Sequence, residues 1–264
     1  MNIEDKRVLV IGDICLDKFV YCNVERMCPE APVPLLKQLY YIENLGMAGN
    51  VASNLLSLGI TCDLITPDRN QYMSRKTRYV DEKTNYMFYR IDEDSLYHER
   101  FDINKIDLSK YDAVVISDYN KGFLEKEDVC EISDVCRSIN IPTFVDTKKP
   151  IGDWANPTFY KINEKEWINS TKYKNENVIV TLGSGGCMYK DSIFNTTEHN
   201  SFDVSGAGDT FLATLVAGYV MEYSIEMCLY IANIVAGEVV CKKGVSTPSF
   251  KITKYKDDLF EIKK

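Results

Sequence analysis

Short apolar runs alternate along this chain with stretches of helical spacing. Val8-Leu9-Val10-Ile11 is a β-branched run closed by Gly12-Asp13, the pattern of a buried parallel strand that ends in a loop. Gly49 to Leu58 places Val51, Leu55 and Leu58 at i, i+4 and i+7, with Gly59 as the stop, and predicts a helix. Asp63-Leu64-Ile65-Thr66 predicts a second strand. Beyond residue 105 the rhythm is regular. Strands are expected over Ala113–Asp118, Pro142–Asp146 and Val178–Thr181, and a helix over Glu127–Ile139. The two longest apolar helical patterns cover Gly208–Met221 and Ile225–Cys241. Strands alternating with helices imply right-handed crossovers and a mostly parallel sheet, an α/β fold.

Two stretches break this rhythm. Residues 18–41 and 76–92 hold alternating segments such as Lys76-Thr77-Arg78-Tyr79-Val80 and Tyr86-Met87-Phe88-Tyr89-Arg90, which read as longer strands with one polar face. They are expected to form a small accessory sheet, a lid inserted into one domain spanning residues 1–264. A thin sheet rich in aromatics (Tyr40, Tyr41, Tyr86, Phe88, Tyr89) cannot bury both faces on its own domain, so a homodimer through the lid is expected.

Composition narrows the class. An apolar fraction of 45% over 264 residues suffices for a sizeable core. A formal net charge of -8 lacks the broad basic footprint of a nucleic-acid binder. Nine cysteines without a C-x-x-C pair, and only two histidines (His98 and His199), read as free thiols in a reducing compartment rather than a zinc site. No apolar run approaches the roughly 18 residues of a membrane span, and the first residues do not form a secretory signal. A cytoplasmic protein without membrane contact is expected.

Ligands of such sheets sit at the carboxyl ends of the strands, where Asp13, Asp118, Asp146 and Thr181 lie. The strongest local signal is Asp203-Val204-Ser205-Gly206-Ala207-Gly208-Asp209-Thr210, directly before an apolar helix. Gly206 and Gly208 let the backbone approach a ligand, and the free N–H groups of the first helical turn point at an anion. Phosphoryl transfer needs that charge stabilisation, and a carboxylate such as Asp209 can take the proton of an attacking hydroxyl. The octapeptide alone leaves a second reading open: a plain glycine-rich turn with Asp209 complementing the helix dipole.

The segment Gly206-Ala207-Gly208-Asp209 resembles the signature of the ribokinase-like (PfkB-type) carbohydrate kinases, and further elements resemble that family in the expected order. Val8 to Asp17 is similar to the opening strand whose acidic residues, here Asp13 and Asp17, hold sugar hydroxyls. Gly46-Met47-Ala48-Gly49-Asn50 resembles the sugar-binding turn. Asn163-Glu164-Lys165-Glu166 resembles the N-x-x-E element that serves magnesium and phosphate. Thr181-Leu182-Gly183-Ser184-Gly185-Gly186 resembles the nucleotide-side turn. Asn233 to Gly237 resembles the helix lining the adenine pocket. The resemblance implies a three-layer fold, ATP and Mg²⁺ as cofactors with Glu166 reaching the metal through water, and Asp209 as base with Gly206, Ala207 and Gly208 as its anion hole.

One subgroup is more similar than the rest. Arg26 to Pro34, Lys76-Thr77-Arg78, Ser117 to Gly122, Asp146-Thr147-Lys148 and Gly244-Val245-Ser246-Thr247 resemble the bacterial D-glycero-β-D-manno-heptose 7-phosphate kinases, which phosphorylate C1 on the way to nucleotide-activated heptose. A phosphorylated substrate needs cations, and Arg26, Arg78 and Lys121 are available, with Lys148 on the nucleotide side. Met47 stands where the family usually has a second glycine, with the expectation that it narrows the sugar pocket. The sequence ends soon after the last helix, so the adenylyltransferase half of some heptose kinases is expected to be absent. The alternatives are a kinase for another sugar, sugar phosphate or nucleoside, and a non-catalytic sensing module on the same fold.

Overall fold

The computed structural model describes residues 3–95, 97, 101–170, 176–196, 204–241, 246–248, 251–254 and 260–263. His98, His199, Asp203, Gly244 and Val245 lie outside the described residues.

The chain opens with β1 (Arg7–Gly12), β2 (Ile14–Met27), β3 (Pro34–Met47), α1 (Ala48–Ser57), β4 (Thr61–Ile65) and the single turn α2 (Arg69–Tyr72). It continues through β5 (Ser74–Asp81), β6 (Met87–Glu93), β7 (Ala113–Asp118), α3 (Lys126–Ser138), β8 (Thr143–Thr147), β9 (Phe159–Asn163), α4 (Glu164–Asn169) and β10 (Val178–Thr181). The last elements are β11 (Cys187–Tyr189), β12 (Ser192–Phe194), α5 (Ala207–Val220), α6 (Ile225–Val239), β13 (Lys251–Lys254) and β14 (Phe260–Lys263).

Eight strands form the main sheet in the order β12-β11-β10-β9-β8-β7-β1-β4. Strands from β4 to β10 run parallel, and β11 and β12 close the edge antiparallel. Period-two alternation makes this a three-layer structure. Val8, Val10, Ala113 and Val115 face one way and pack under α1, α5 and α6. Leu9, Ile11, Val114 and Ile116 face the other and pack against α3. Both faces are buried, so β1 and β7 read as continuous apolar runs.

The second sheet has the order β3-β2-β5-β6. It starts closer to the core than the alternation suggests. No loop follows Asp13: that single residue separates β1 from β2, and β3 runs directly into α1. These strands therefore grow out of the carboxyl end of the main sheet. Their outer parts expose Leu39, Tyr40, Tyr41, Ile42, Met87, Tyr89 and Ile91. Among the described residues, no helix is long and apolar enough to cross a membrane.

Candidate active site

The chain leaves β1 toward β4 on one side and later toward β7 on the other, so the carboxyl ends of β1 and β7 diverge. Such a switch point is where open α/β sheets bind ligands. Asp13 ends β1 here. Its Oδ2 accepts the backbone N–H groups of Tyr119 at 2.7 Å and Lys121 at 3.2 Å. Its Oδ1 is buried and, among the described residues, has no hydrogen-bond partner, which leaves one acceptor for a ligand donor. Burial raises the Asp13 carboxyl above the usual range, against the two backbone N–H bonds.

Asp17, on β2, is buried and paired with Arg78 of β5. The register places Cys15 opposite Gly46, at the end of β3. A Cβ on Gly46 would lie 2.1 Å from Asp17 Oδ2, so glycine there is what lets the turn into α1 approach the carboxylate. Met47, next in sequence, adopts φ 58° and ψ -133°, a conformation that glycine favours and that costs about 1–3 kcal/mol in other residues. Its side chain is buried. Gly49 and Asn50 fall in the first turn of α1 and are buried.

Asp209 sits in the first turn of α5, and Gly206 provides the helix start at φ 82°, in the left-handed region. The first intrahelical bond runs from Thr210 N–H to the Gly206 carbonyl at 2.9 Å. The N–H groups of Gly208 and Asp209 precede it and are left for an anion. Asp209 Oδ2 accepts from Asn50 Nδ2 at 3.0 Å, and Oδ1 accepts from the Tyr119 hydroxyl at 2.8 Å. Burial pushes the Asp209 carboxyl above the usual range. The Asn50 bond opposes that shift, and the charge of Asp146 adds to it.

A cavity of about 950 Å³ runs from Asp209 across the Gly206–Gly208 turn to Thr181, Gly183, Gly186, Asn233 and Gly237. The side-chain amide of Asn233 donates to the Phe194 carbonyl at 2.8 Å, tying α6 to β12 along this wall. Asn163 and Glu166 form a capping box on α4: Glu166 N–H donates to Asn163 Oδ1 at 2.9 Å, and Asn163 N–H donates to Glu166 Oε2 at 2.8 Å. The N-x-x-E spacing thus has a structural cause of its own. Lys148 Nζ donates to Glu166 Oε1 at 2.5 Å and lies 3.7 Å from Asp146. Burial pulls the Lys148 pKa down, but Asp146 and Glu166 outweigh it and the net shift is upward.

Lys161 is a site residue that sequence reasoning missed. It interrupts the apolar strand β9, is buried, and donates to Asp146 Oδ2 at 2.6 Å. A Cβ on Gly208 would come within 3.0 Å of its Nζ, so this ammonium lies against the glycine turn. Asp146 Oδ1 is buried in the same cavity and, among the described residues, has no hydrogen-bond partner.

Two expected cations are already engaged, and a third is remote. Arg78 is paired with Asp17, and Lys121 pairs with Asp94 at 2.6 Å. Arg26 is exposed at the far end of β2, nine residues beyond Asp17, or roughly 30 Å along an extended strand. The structure does not bring it to the site.

Among the described residues no cluster of three or more His, Cys, Asp or Glu side chains could hold a metal directly. The donors fit a hydrated Mg²⁺ better. Asp146 Oδ1 lacks a partner and Glu166 stands nearby beyond Lys148, while magnesium keeps several waters and takes one or two carboxylates with substrate phosphates.

A parallel sheet with ligand residues at its switch point and a glycine-rich helix start beside a buried carboxylate can bind an anion and accept a proton in one place. Residues 35–252 match the sequence profile of the pfkB family carbohydrate kinases, and the chain belongs to that family. It is 30% identical to the bifunctional protein HldE of Sulfurimonas denitrificans, over 96% of this chain and 65% of that protein. It is 28% identical to the HldE of Campylobacter jejuni strain RM1221, over 100% and 67%. The chain thus spans about two thirds of these relatives. Phosphofructokinase-2 of Escherichia coli, solved with potassium, superposes with a TM-score of 0.70 at 14% identity, covering 91% of this chain and 94% of that one. The Arabidopsis thaliana ribokinase complexed with ribose and ATP gives 0.64 at 16% identity, covering 90% and 94%. At these identities the likeness shows the fold, a ribokinase-like α/β sandwich with a separate small sheet.

Proposed function

We propose that this carbohydrate kinase transfers the γ-phosphoryl group of ATP to the C1 hydroxyl of D-glycero-β-D-manno-heptose 7-phosphate, in the cytoplasm, toward nucleotide-activated heptose. The observation that carries the reading is the meeting of Asp209, the Gly206–Gly208 turn and Lys161 at one end of a cavity that reaches the nucleotide-side turn. In this reading Asp209 accepts the hydroxyl proton, and the freed oxygen attacks the γ-phosphorus. The bond to the bridging oxygen then breaks, and ADP leaves with the electron pair. The N–H groups of Gly208 and Asp209 and the Lys161 ammonium meet the charge on the moving group. Asp13, Asp17, Gly46, Gly49 and Asn50 hold the sugar, with Arg78 and Lys121 toward its phosphate. Thr181, Gly183, Gly186, Asn233 and Gly237 hold the nucleotide, with Lys148 toward its phosphates.

The resemblance of Pro29 to Pro34 and of Ser117 to Gly122 to heptose 7-phosphate kinases supports the choice of sugar. The pairing of Arg78 with Asp17 and of Lys121 with Asp94 favours, as a second reading, a kinase for another sugar on this scaffold. ADP release across a panel of sugars and sugar phosphates separates them. The heptose 7-phosphate is expected to give the highest kcat/KM; a neutral sugar in that place would overturn the first reading.

Magnesium, when bound, neutralises phosphate charge; Glu166, with Asn163 and Asp146, would hold it through its waters. Glu166→Gln can keep its half of the capping box through the amide oxygen, but it removes the charge and the half-exposed Lys148 contact, since its NH₂ cannot accept. The Mg²⁺ concentration for half-maximal rate is expected to rise severalfold with little change in melting temperature. An unaltered Mg²⁺ dependence would remove Glu166 from the metal.

The second sheet is proposed to pair with that of another copy. Its outer parts expose Tyr40, Tyr41, Ile42, Met87 and Tyr89, and among the described residues β3 and β6 are open edges. Light scattering at micromolar concentration is expected to give twice the chain mass of 30.2 kDa. A monomer would refute the pairing.

A further inference from the structure

The phenol of Tyr119 has no part in the transfer written above, yet it touches the base. Tyr119 follows β7. Its hydroxyl donates to Asp209 Oδ1 at 2.8 Å, and its backbone N–H donates to Asp13 Oδ2 at 2.7 Å. One residue is therefore anchored to two carboxylates of the sugar side. Two ammonium groups lie over the ring: Lys76 Nζ, from the small sheet, is 5.4 Å from its centroid, and Lys148 Nζ is 5.0 Å away. Such contacts fix the ring without sealing the hydroxyl in place. With Asn50 on Oδ2, each oxygen of the base already carries one donor before any substrate arrives.

This arrangement bears on a problem any kinase faces. A water that enters beside ATP is also an acceptor. Its oxygen can attack the γ-phosphorus while a base takes its proton; the bridging P–O bond breaks, and ADP leaves with the electron pair. The sum is ATP and water giving ADP, inorganic phosphate and a proton, which the base then releases to bulk solvent. We propose that Tyr119 guards against this: in the sugar-free enzyme its hydroxyl occupies on Asp209 Oδ1 the place an activated water would need.

Burial and the neighbouring Asp209 charge drive the phenol pKa far up, so it donates without becoming a nucleophile itself. A lone water gains too little to displace it, because one hydrogen bond is exchanged for another. A sugar brings several hydroxyls at once and finds the free Oδ1 of Asp13 beside the residue that anchors Tyr119. Binding energy from the rest of the substrate then offsets the loss of the Tyr119 bond. The proposal rests on Asp209 as the base, and the experiment keeps the two claims apart.

Tyr119→Phe deletes only the hydroxyl and leaves the ring contacts with Lys76 and Lys148. ADP release from ATP with no sugar present is expected to rise about fivefold, the factor that one hydrogen bond of ordinary net strength represents. In Tyr119→Phe/Asp209→Asn that gain should vanish. Melting curves of both variants establish that they are folded. Sugar-free hydrolysis that stays level or falls in Tyr119→Phe overturns the guard. So does a rise that survives the second substitution, since it would not run through Asp209. Failure of the underlying reading shows differently, as Asp209→Asn that still phosphorylates sugar.

Discussion

Asp209→Asn is expected to lower kcat by at least about 10²- to 10⁴-fold, the contribution of general-base catalysis, with KM for ATP and sugar nearly unchanged. The side chains are almost isosteric, and the site can satisfy the amide. Its oxygen can accept from Asn50 while its NH₂ donates to the Tyr119 oxygen, which serves as either donor or acceptor. The amide cannot take the hydroxyl proton. Stability gives an independent sign. Burial raises the Asp209 carboxyl, so the folded state binds its proton more tightly than the unfolded chain does. Its ionised form is therefore unfavourable to folding as pH rises through the raised value, and the asparagine variant should melt at or above the parent at neutral pH. The activity of the parent follows the opposite course, falling as pH drops through that same raised pKa. A helix-capping role predicts instead preserved turnover with a loss of stability of about 1 kcal/mol. Steady-state kinetics and melting of one purified variant separate the two.

Lys161→Met should damage both stability and rate. The Lys161 and Asp146 side chains are 5% and 2% exposed, so removing the ammonium leaves a buried carboxylate whose remaining cation among the described residues is Lys148, 3.7 Å from its other oxygen. Breaking one side of such a pair costs roughly 3–5 kcal/mol, and the Lys148 contact should hold the loss to the lower part of that range. The turnover loss is a separate effect. Removing a preorganised charge or donor from a transferring group costs about 10²- to 10³-fold. Asp146→Asn alone and Lys161→Met/Asp146→Asn together tell the two apart. The double variant should recover most of the melting temperature, since the buried charge is gone, while its kcat stays well below that of Asp146→Asn, which keeps the ammonium. A double variant no slower than Asp146→Asn would make Lys161 a structural ion pair and nothing more.

The elements legible in the sequence are those where burial and period agree. Val8–Ile11 and Ala113–Ile116 are covered on both faces, so their apolar runs could only be central strands. α5 and α6 carry long apolar patterns because they lie in the larger core cluster. β9 escaped notice because Lys161 stands in its middle, and lysine is seldom buried unless paired. Its partner Asp146 is 15 residues away, and no local pattern links them. Tyr119 and Asp209 are 90 residues apart, and Asn50 and Asp209 are 159 apart; the fold alone joins them. Arg26 shows the converse. A motif close in sequence to Asp17 was carried far from it because the intervening chain is a continuous strand.

Phosphorus NMR of the product formed from ATP and D-glycero-D-manno-heptose 7-phosphate tests most directly the proposed transfer, at Asp209, to the anomeric oxygen of a sugar already phosphorylated at C7. A second sugar phosphorus signal, coupled to the anomeric proton and absent with Asp209→Asn, is the predicted result. A heptose 7-phosphate that remains unmodified while a different sugar gains the phosphate, or a new signal coupled to any proton other than the anomeric one, would contradict it.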